Sequence, residues 1–151
     1  MDGELADLAE AIIGVARELR LRPDAAAATD ADIIELTPSE AHVMRHIDHH
    51  PGVTPSDLAR ATGLQRSNMS TALRSLENRG FVERRADPHD ARGVNLYPTD
   101  RAADNLKRLR RQWAQLMGNG LRGDRQGAAA AKALLERVES ALMADRLGAD
   151  L

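Results

Sequence analysis

Residues 54–85 read TPSDLARATGLQRSNMSTALRSLENRGFVERR, and the order of elements in this stretch decides the fold. Thr54 can cap a helix whose first residue is Pro55 and whose third is Asp57. The cap oxygen accepts from exposed first-turn N–H groups, and Pro lacks the N–H that would be orphaned there. This helix is short and meets Gly63, where a left-handed backbone costs least without a Cβ. A second helix is predicted from Arg66 to Arg79, with Gly80 as its stop. At about 100° per residue, Met69, Ala72, Leu73 and Leu76 share one face. Ser67, Thr71, Arg74, Ser75 and Asn78 lie opposite, flanked by Asn68 and Ser70. One face is built for a core, and the other is rich in hydrogen-bonding groups and poor in acids.

FVERR and GVNLYP then alternate as strands do, and the loop between them makes a hairpin carrying Asp90 and Arg92. Short helix, tight turn, helix and hairpin together form a winged helix-turn-helix. The predicted class is mainly α, with the hairpin as its β wing. In such a fold the second helix enters a major groove about 12 Å wide and turns its polar face to the base edges. Arg66, Ser67, Asn68, Ser70, Thr71 and Arg74 are therefore candidate DNA contacts. Arg92 at the wing tip suits the minor groove, where a guanidinium reads width and negative potential. Asp90 could orient that guanidinium or bond the loop backbone. Arg84 and Arg85 are expected to divide, one facing phosphate and one pairing with an acid, and Arg84 is counted with the DNA set. Each of these arginines alone would read as a solvated surface charge; the order of elements around them favours DNA.

Upstream, TPSE at 37–40 repeats the cap signature and starts a helix near 38 with Ala41, Val43, Met44 and Ile47 inward, ending at HHPG. Residues 4–21 carry Leu5, Leu8, Ile12, Val15 and Leu19 at steps of three and four, an amphipathic helix that Pro23 ends. Downstream, Thr99 can cap a helix over about 100–118, with Leu106, Leu109, Trp113, Leu116 and Met117 inward. GNGLRGD interrupts it. A last helix holds Ala131, Leu134, Leu135, Val138, Leu142 and Leu147. The organisation read from this is a winged domain over 36–100 and dimerisation helices over 1–35 and 101–151. A loop and a Gly-rich break separate the terminal seams from the winged core, so a second copy is expected to cover Leu5, Leu8, Ile12, Leu134, Val138 and Leu142. Two-fold symmetry would set two recognition helices about one DNA turn apart, roughly 34–36 Å, on a pseudo-palindrome.

Three segments, LTPSEAHVMRHI, TPSDLARATGLQRSNMSTALRSLENRGFVERR and DPHDARGVNLYPT, resemble the MarR family of bacterial transcriptional regulators over about residues 36–100. The D-x-R of the wing, Asp90-Ala91-Arg92, is the most specific piece. The resemblance implies a homodimer with interlocked terminal helices and binding to double-stranded operator DNA. It implies repression, often relieved by a small-molecule effector. Family ligand pockets lie between the dimerisation helices and the winged domain, which makes His42, His46, Trp113 and Met117 candidate pocket residues. Two places depart from the family pattern: LYPTDRA after the wing, with Pro98 and Ala102, and the Ala- and Asp-rich link at 23–35.

His42, His46 and His49 fall at i, i+4 and i+7, and imidazoles so spaced can share Zn²⁺. A zinc-responsive regulator is thus an alternative, set against the plainer reading that these histidines cap carbonyls or sit at an interface. A winged-helix protein-interaction module that does not read DNA is another, and the basic residues on the recognition face argue against it.

In 151 residues the net charge is only −2, yet residues 1–50 carry 4 Lys/Arg against 11 Asp/Glu while 51–101 carry 8 against 6. That asymmetry is compatible with a polyanion on one face. The absence of cysteine excludes disulfides, thiolate metal sites and a cysteine nucleophile. No nucleophile–base pair, phosphate loop or cofactor motif stands out, so neither an enzyme nor a cofactor is expected. No apolar run approaches a membrane span, and the acidic start is unlike a signal peptide, so a cytoplasmic location is expected.

Overall fold

The computed structural model describes residues 2–21, 33–87 and 93–148. Its elements are α1 (Asp2–Leu21), α2 (Pro38–His49), α3 (Pro55–Thr62), α4 (Arg66–Asn78), β1 (Val82–Ala86), β2 (Val94–Pro98), α5 (Asp100–Leu121) and α6 (Arg125–Gly148). No helix among the described residues is long and apolar enough to cross a membrane. The chain divides into two compact units, Met1–Ile33 with Lys107–Gly123, and Ile34–Leu106 with Asp124–Leu151.

The second unit holds the winged helix together with α6. Both cap signatures act as the sequence predicts. Thr37 accepts from the Glu40 N–H at 3.3 Å while the Glu40 carboxylate accepts from the Thr37 N–H at 2.8 Å, a closed capping box at the start of α2. Thr54 accepts from the Asp57 N–H at 3.1 Å at the start of α3. Gly63 ends α3 in the left-handed region, at φ 62°. The end of α4 is tied by the Gly80 N–H to the Glu77 carbonyl and the Phe81 N–H to the Leu76 carbonyl, with Gly80 at φ 72°. This is a Schellman closure, and its companion contact is apolar, since Leu76 and Phe81 are both buried.

The core gathers Val43 and Ile47 of α2, Leu58 of α3, Met69, Ala72, Leu73 and Leu76 of α4, Phe81, Val82, Leu96 and Ala102. Ala102, where the sequence departs from the family pattern, is buried in the first turn of α5, and Thr99 caps that helix by accepting from the Ala102 N–H at 3.2 Å. β1 and β2 pair antiparallel with Arg84 opposite Leu96. Val53 adds an isolated bridge to Leu96 that the sequence does not reveal, joining the turn after α2 to the wing. Asn105, also buried, clamps the chain before α2: it accepts from the Ile34 N–H at 2.8 Å and donates to the Ile34 carbonyl at 3.0 Å. α5 continues through Gly118 and Gly120 to Leu121, three residues beyond the expected end, and the break falls at Arg122 and Gly123, both at positive φ.

Among the described residues, one charged side chain is buried with this core. Glu40 is 5% exposed, and its carboxylate does more than close the capping box. Ser75 of α4 donates to it at 2.5 Å and Arg79 at 3.0 Å. Arg79 also donates to the Glu35 carbonyl at 2.6 Å. Burial pushes the Glu40 carboxyl up. The Ser75 hydroxyl, the Thr37 N–H and the Arg79 guanidinium outweigh it and hold the carboxyl below its ordinary value of 4.5. A carboxyl depressed on folding stabilises the fold fully above its unfolded value, and that contribution is lost as pH falls through the folded value. Chemical denaturation should therefore show stability declining below about pH 4.5, and Glu40→Gln should flatten that acid arm while lowering stability at pH 7. An unchanged acid arm in the variant would show that the carboxylate is not the titrating group.

Candidate nucleic-acid interface

The face of α4 opposite the core carries the predicted DNA set. Met69, Ala72, Leu73 and Leu76 are buried, while Arg66, Ser67, Asn68, Ser70, Thr71 and Arg74 are all exposed. Among the described residues none of these six side chains makes a hydrogen bond or ion pair. Ser75, placed on the polar face by periodicity, instead turns toward Glu40. The first turn of α4 holds no acid, and its cap residue Gln65 makes no side-chain cap bond. The helix therefore starts with backbone N–H groups that no side chain caps, beside Arg66. Such a terminus is favourable for an anion.

The wing arginines are engaged at its base. Arg84 pairs with Glu77 of α4 through its Nε and Nη2. Arg85 pairs with Glu83 and lies over the Tyr97 ring, 4.5 Å from its centroid. The sequence leads one to expect one acid-paired arginine here; both are paired. The Arg84–Glu77 bond links the strand directly to α4. Arg92, assigned to the minor groove, and Asp90, expected to orient it or bond the loop backbone, lie outside the described residues.

The histidines of α2 do not converge on a shared point. The His42 Nε2 sits 3.1 Å from the Thr62 carbonyl, at the end of α3. His46 stacks on His50, ring centroids 4.6 Å apart, beside a cleft of about 480 Å³ lined also by Pro51, Val53, Asp57 and Arg60. No group of three metal-ligating side chains gathers among the described residues. Burial, and then the neighbouring His50, His42, His49 and Arg146, holds the His46 pKa below its ordinary value.

Trp113 and Met117 lie one turn apart on α5, 37% and 40% exposed. Both belong to the first unit, whereas His42 and His46 belong to the second. The terminal helices leave apolar surface uncovered by their own chain: Leu5, Leu8 and Ile12 with Ile13 and Val15 on α1, and Leu134, Val138 and Leu142 with Leu135 on α6. Ile13 widens the seam on α1 beyond the predicted stripe.

Residues 34–93 match the model of the MarR family. A sequence search of curated proteins finds no match. Solved structures share the fold at low identity. A point mutant of MepR from a multidrug-resistant S. aureus clinical isolate aligns with TM-score 0.71 at 19% identity, over 89% of this chain and 96% of that one. Streptococcus pneumoniae FabT, solved in complex with DNA, aligns with TM-score 0.64 at 19% identity, over 91% and 96%. The PcaV transcriptional regulator of Streptomyces coelicolor, solved with its natural ligand, aligns with TM-score 0.52 at 24% identity, over 85% and 91%. Residues 34–93 are thus similar to the MarR family, and the chain shares the winged-helix fold of these solved structures.

Proposed function

We propose that this protein is a homodimeric, sequence-specific DNA-binding regulator of transcription that represses from a pseudo-palindromic operator and responds to a small-molecule effector. The observation that carries the reading is the outer face of α4. Six polar or cationic side chains stand exposed there, without intrachain partners among the described residues, on a helix whose other face is locked into the core. The complex of FabT with DNA and that of PcaV with its ligand support a DNA partner and an effector by analogy of fold.

Each subunit would insert α4 into a major groove. Arg66 and the first-turn N–H groups would meet phosphate there, and Ser67, Asn68, Ser70, Thr71 and Arg74 would reach base edges. Phosphate contacts would supply affinity and its salt dependence, and base contacts would set sequence. Arg92 would occupy the adjacent minor groove. Arg84, held by Glu77, would steady the wing against α4. The uncovered seams of α1 and α6, with Leu5, Leu8, Ile12, Leu134, Val138 and Leu142, would meet those of a second copy.

Selection from a random-sequence duplex library tests this. The wild type should enrich an imperfect inverted repeat, and a library that enriches no sequence contradicts the reading. Arg74→Ala or Thr71→Ala should relax base preference at a defined position at a cost of about 1–3 kcal/mol in binding. These exposed positions should change folding stability by no more than about 0.5 kcal/mol. Arg92→Ala should weaken binding with the dimer intact. Replacing Leu134 and Val138 with Asp should give monomers by light scattering; a monodisperse dimer would reject the terminal-helix interface.

A further inference from the structure

Helix α3 ends where its last carbonyls have no partner within the helix. Two of them are taken by a residue 84 and 85 positions away. The Arg146 guanidinium, on the last turn of α6, donates from Nη1 to the Thr62 carbonyl at 3.0 Å and from Nη2 to the Ala61 carbonyl. His42 of α2 reaches the same Thr62 carbonyl at 3.1 Å. A positive charge here also opposes the negative end of the α3 dipole. The fit is close: a Cβ on Gly63 would lie 2.8 Å from Arg146 Nη1 and 3.0 Å from its Cδ, and Gly63 is already at φ 62°. The Arg146 Nε is buried without a hydrogen bond, so the two terminal nitrogens alone hold the guanidinium in place. One further contact ties α6 to the same domain, a bidentate pair in which Arg45 of α2 donates to Glu139 at 2.5 and 2.9 Å.

α6 therefore has two faces with different tasks. Its apolar seam, with Leu134, Val138 and Leu142, is uncovered, while Glu139 and Arg146 grip α2 and the end of α3. Only Gly63, Leu64 and Gln65 separate that end from the first residue of α4. We infer that Arg146 is a positioning residue for DNA recognition, a clasp that fixes the exit of α3 and hence the entry of the recognition helix. The inference rests on the DNA-binding reading above. It assigns the C-terminal helix a part in aiming α4, in addition to any part in pairing two chains.

The clasp sits beside titratable groups, and this supplies a signature that plain packing would lack. His46 is faced by His42, His49 and His50 from α2 and its end, by Arg146 from α6, and by Asp57 and Arg60 from α3, which pair with each other. Arg45 and Glu139, paired with each other, join α2 to α6 nearby. Burial first, then His50, His42, His49 and Arg146, holds the His46 pKa below the ordinary histidine value of 6.5. Protonation then places a second positive charge near the guanidinium and loosens its hold on α3.

The test uses the full-length dimer and the duplex that the wild type selects. Arg146→Met keeps the aliphatic stem and removes the fork. It should lower affinity for the selected duplex about tenfold, with the dimer preserved by light scattering. Wild-type affinity should fall as pH drops below 6.5, and the variant should lack most of that fall. Equal binding by wild type and variant overturns the inference alone. So does a variant that binds more weakly but keeps the wild-type pH slope, since Arg146 would then be ordinary packing. A monomeric variant also overturns it, because the residue would belong to the interface between copies. A wild type that selects no duplex overturns the DNA reading itself, and this inference with it.

Discussion

The helical period over residues 66–78 is the constraint on which the rest depends. Met69, Ala72, Leu73 and Leu76 return to one side every three or four residues, and burying each is worth roughly 1.5–3 kcal/mol, less for alanine. Once that side is fixed in the core, the chain has no choice about the other. Arg66, Ser67, Asn68, Ser70, Thr71 and Arg74 must face outward together. The rotation of α4 is fixed a second time by polar means, because Ser75 and Arg79 both end on the buried Glu40 carboxylate. A carboxylate so enclosed tolerates little slippage: a small turn of α4 would leave it with unmade bonds in a dry site. Apolar packing sets which face is inside, and Glu40 makes that setting narrow.

Charge is handled in the same economical way. The chain is slightly acidic overall, and several of its arginines in the winged unit are already paired: Arg60 with Asp57, Arg79 with Glu40, Arg84 with Glu77 and Arg85 with Glu83. Arg66 and Arg74 have no such partner among the described residues, and both stand on α4. A net charge of −2 therefore says little about what this surface meets. The exposed pairs are each worth at most about 1 kcal/mol, so a phosphate can compete for those arginines too.

Much of this was legible because the signals are local. TPSE and TPSD place a cap oxygen three residues from the N–H it accepts, and both caps form as read. Gly63 and Gly80 end helices at positive φ for reasons visible in the adjacent residues. The exposure of the α4 face follows from its period alone. What the sequence does not announce are contacts made at a distance. Glu40 reads as a capping acid, and nothing nearby announces Ser75 and Arg79. Arg84 reads as a phosphate ligand because its partner Glu77 lies across the turn on another element. Histidines at i, i+4 and i+7 permit a metal site, but His42 turns to a carbonyl of α3 and His46 to His50. Arg146 carries no local signal at all, since the carbonyls it caps are 84 and 85 residues away. The sequence ends α5 too early because glycine discourages a helix by only about 1 kcal/mol, which a long helix absorbs.

The account predicts a particular spacing on DNA, and a footprint measures it most directly. Methylation-interference and hydroxyl-radical mapping on a selected duplex should show two major-groove contact zones on one face of the helix. Their centres should lie about one turn apart, roughly 34–36 Å, with backbone protection extending outward on each side where the wings would lie. A single contact zone, or protection without any interference at guanine N7, would contradict the picture of paired recognition helices reading base edges.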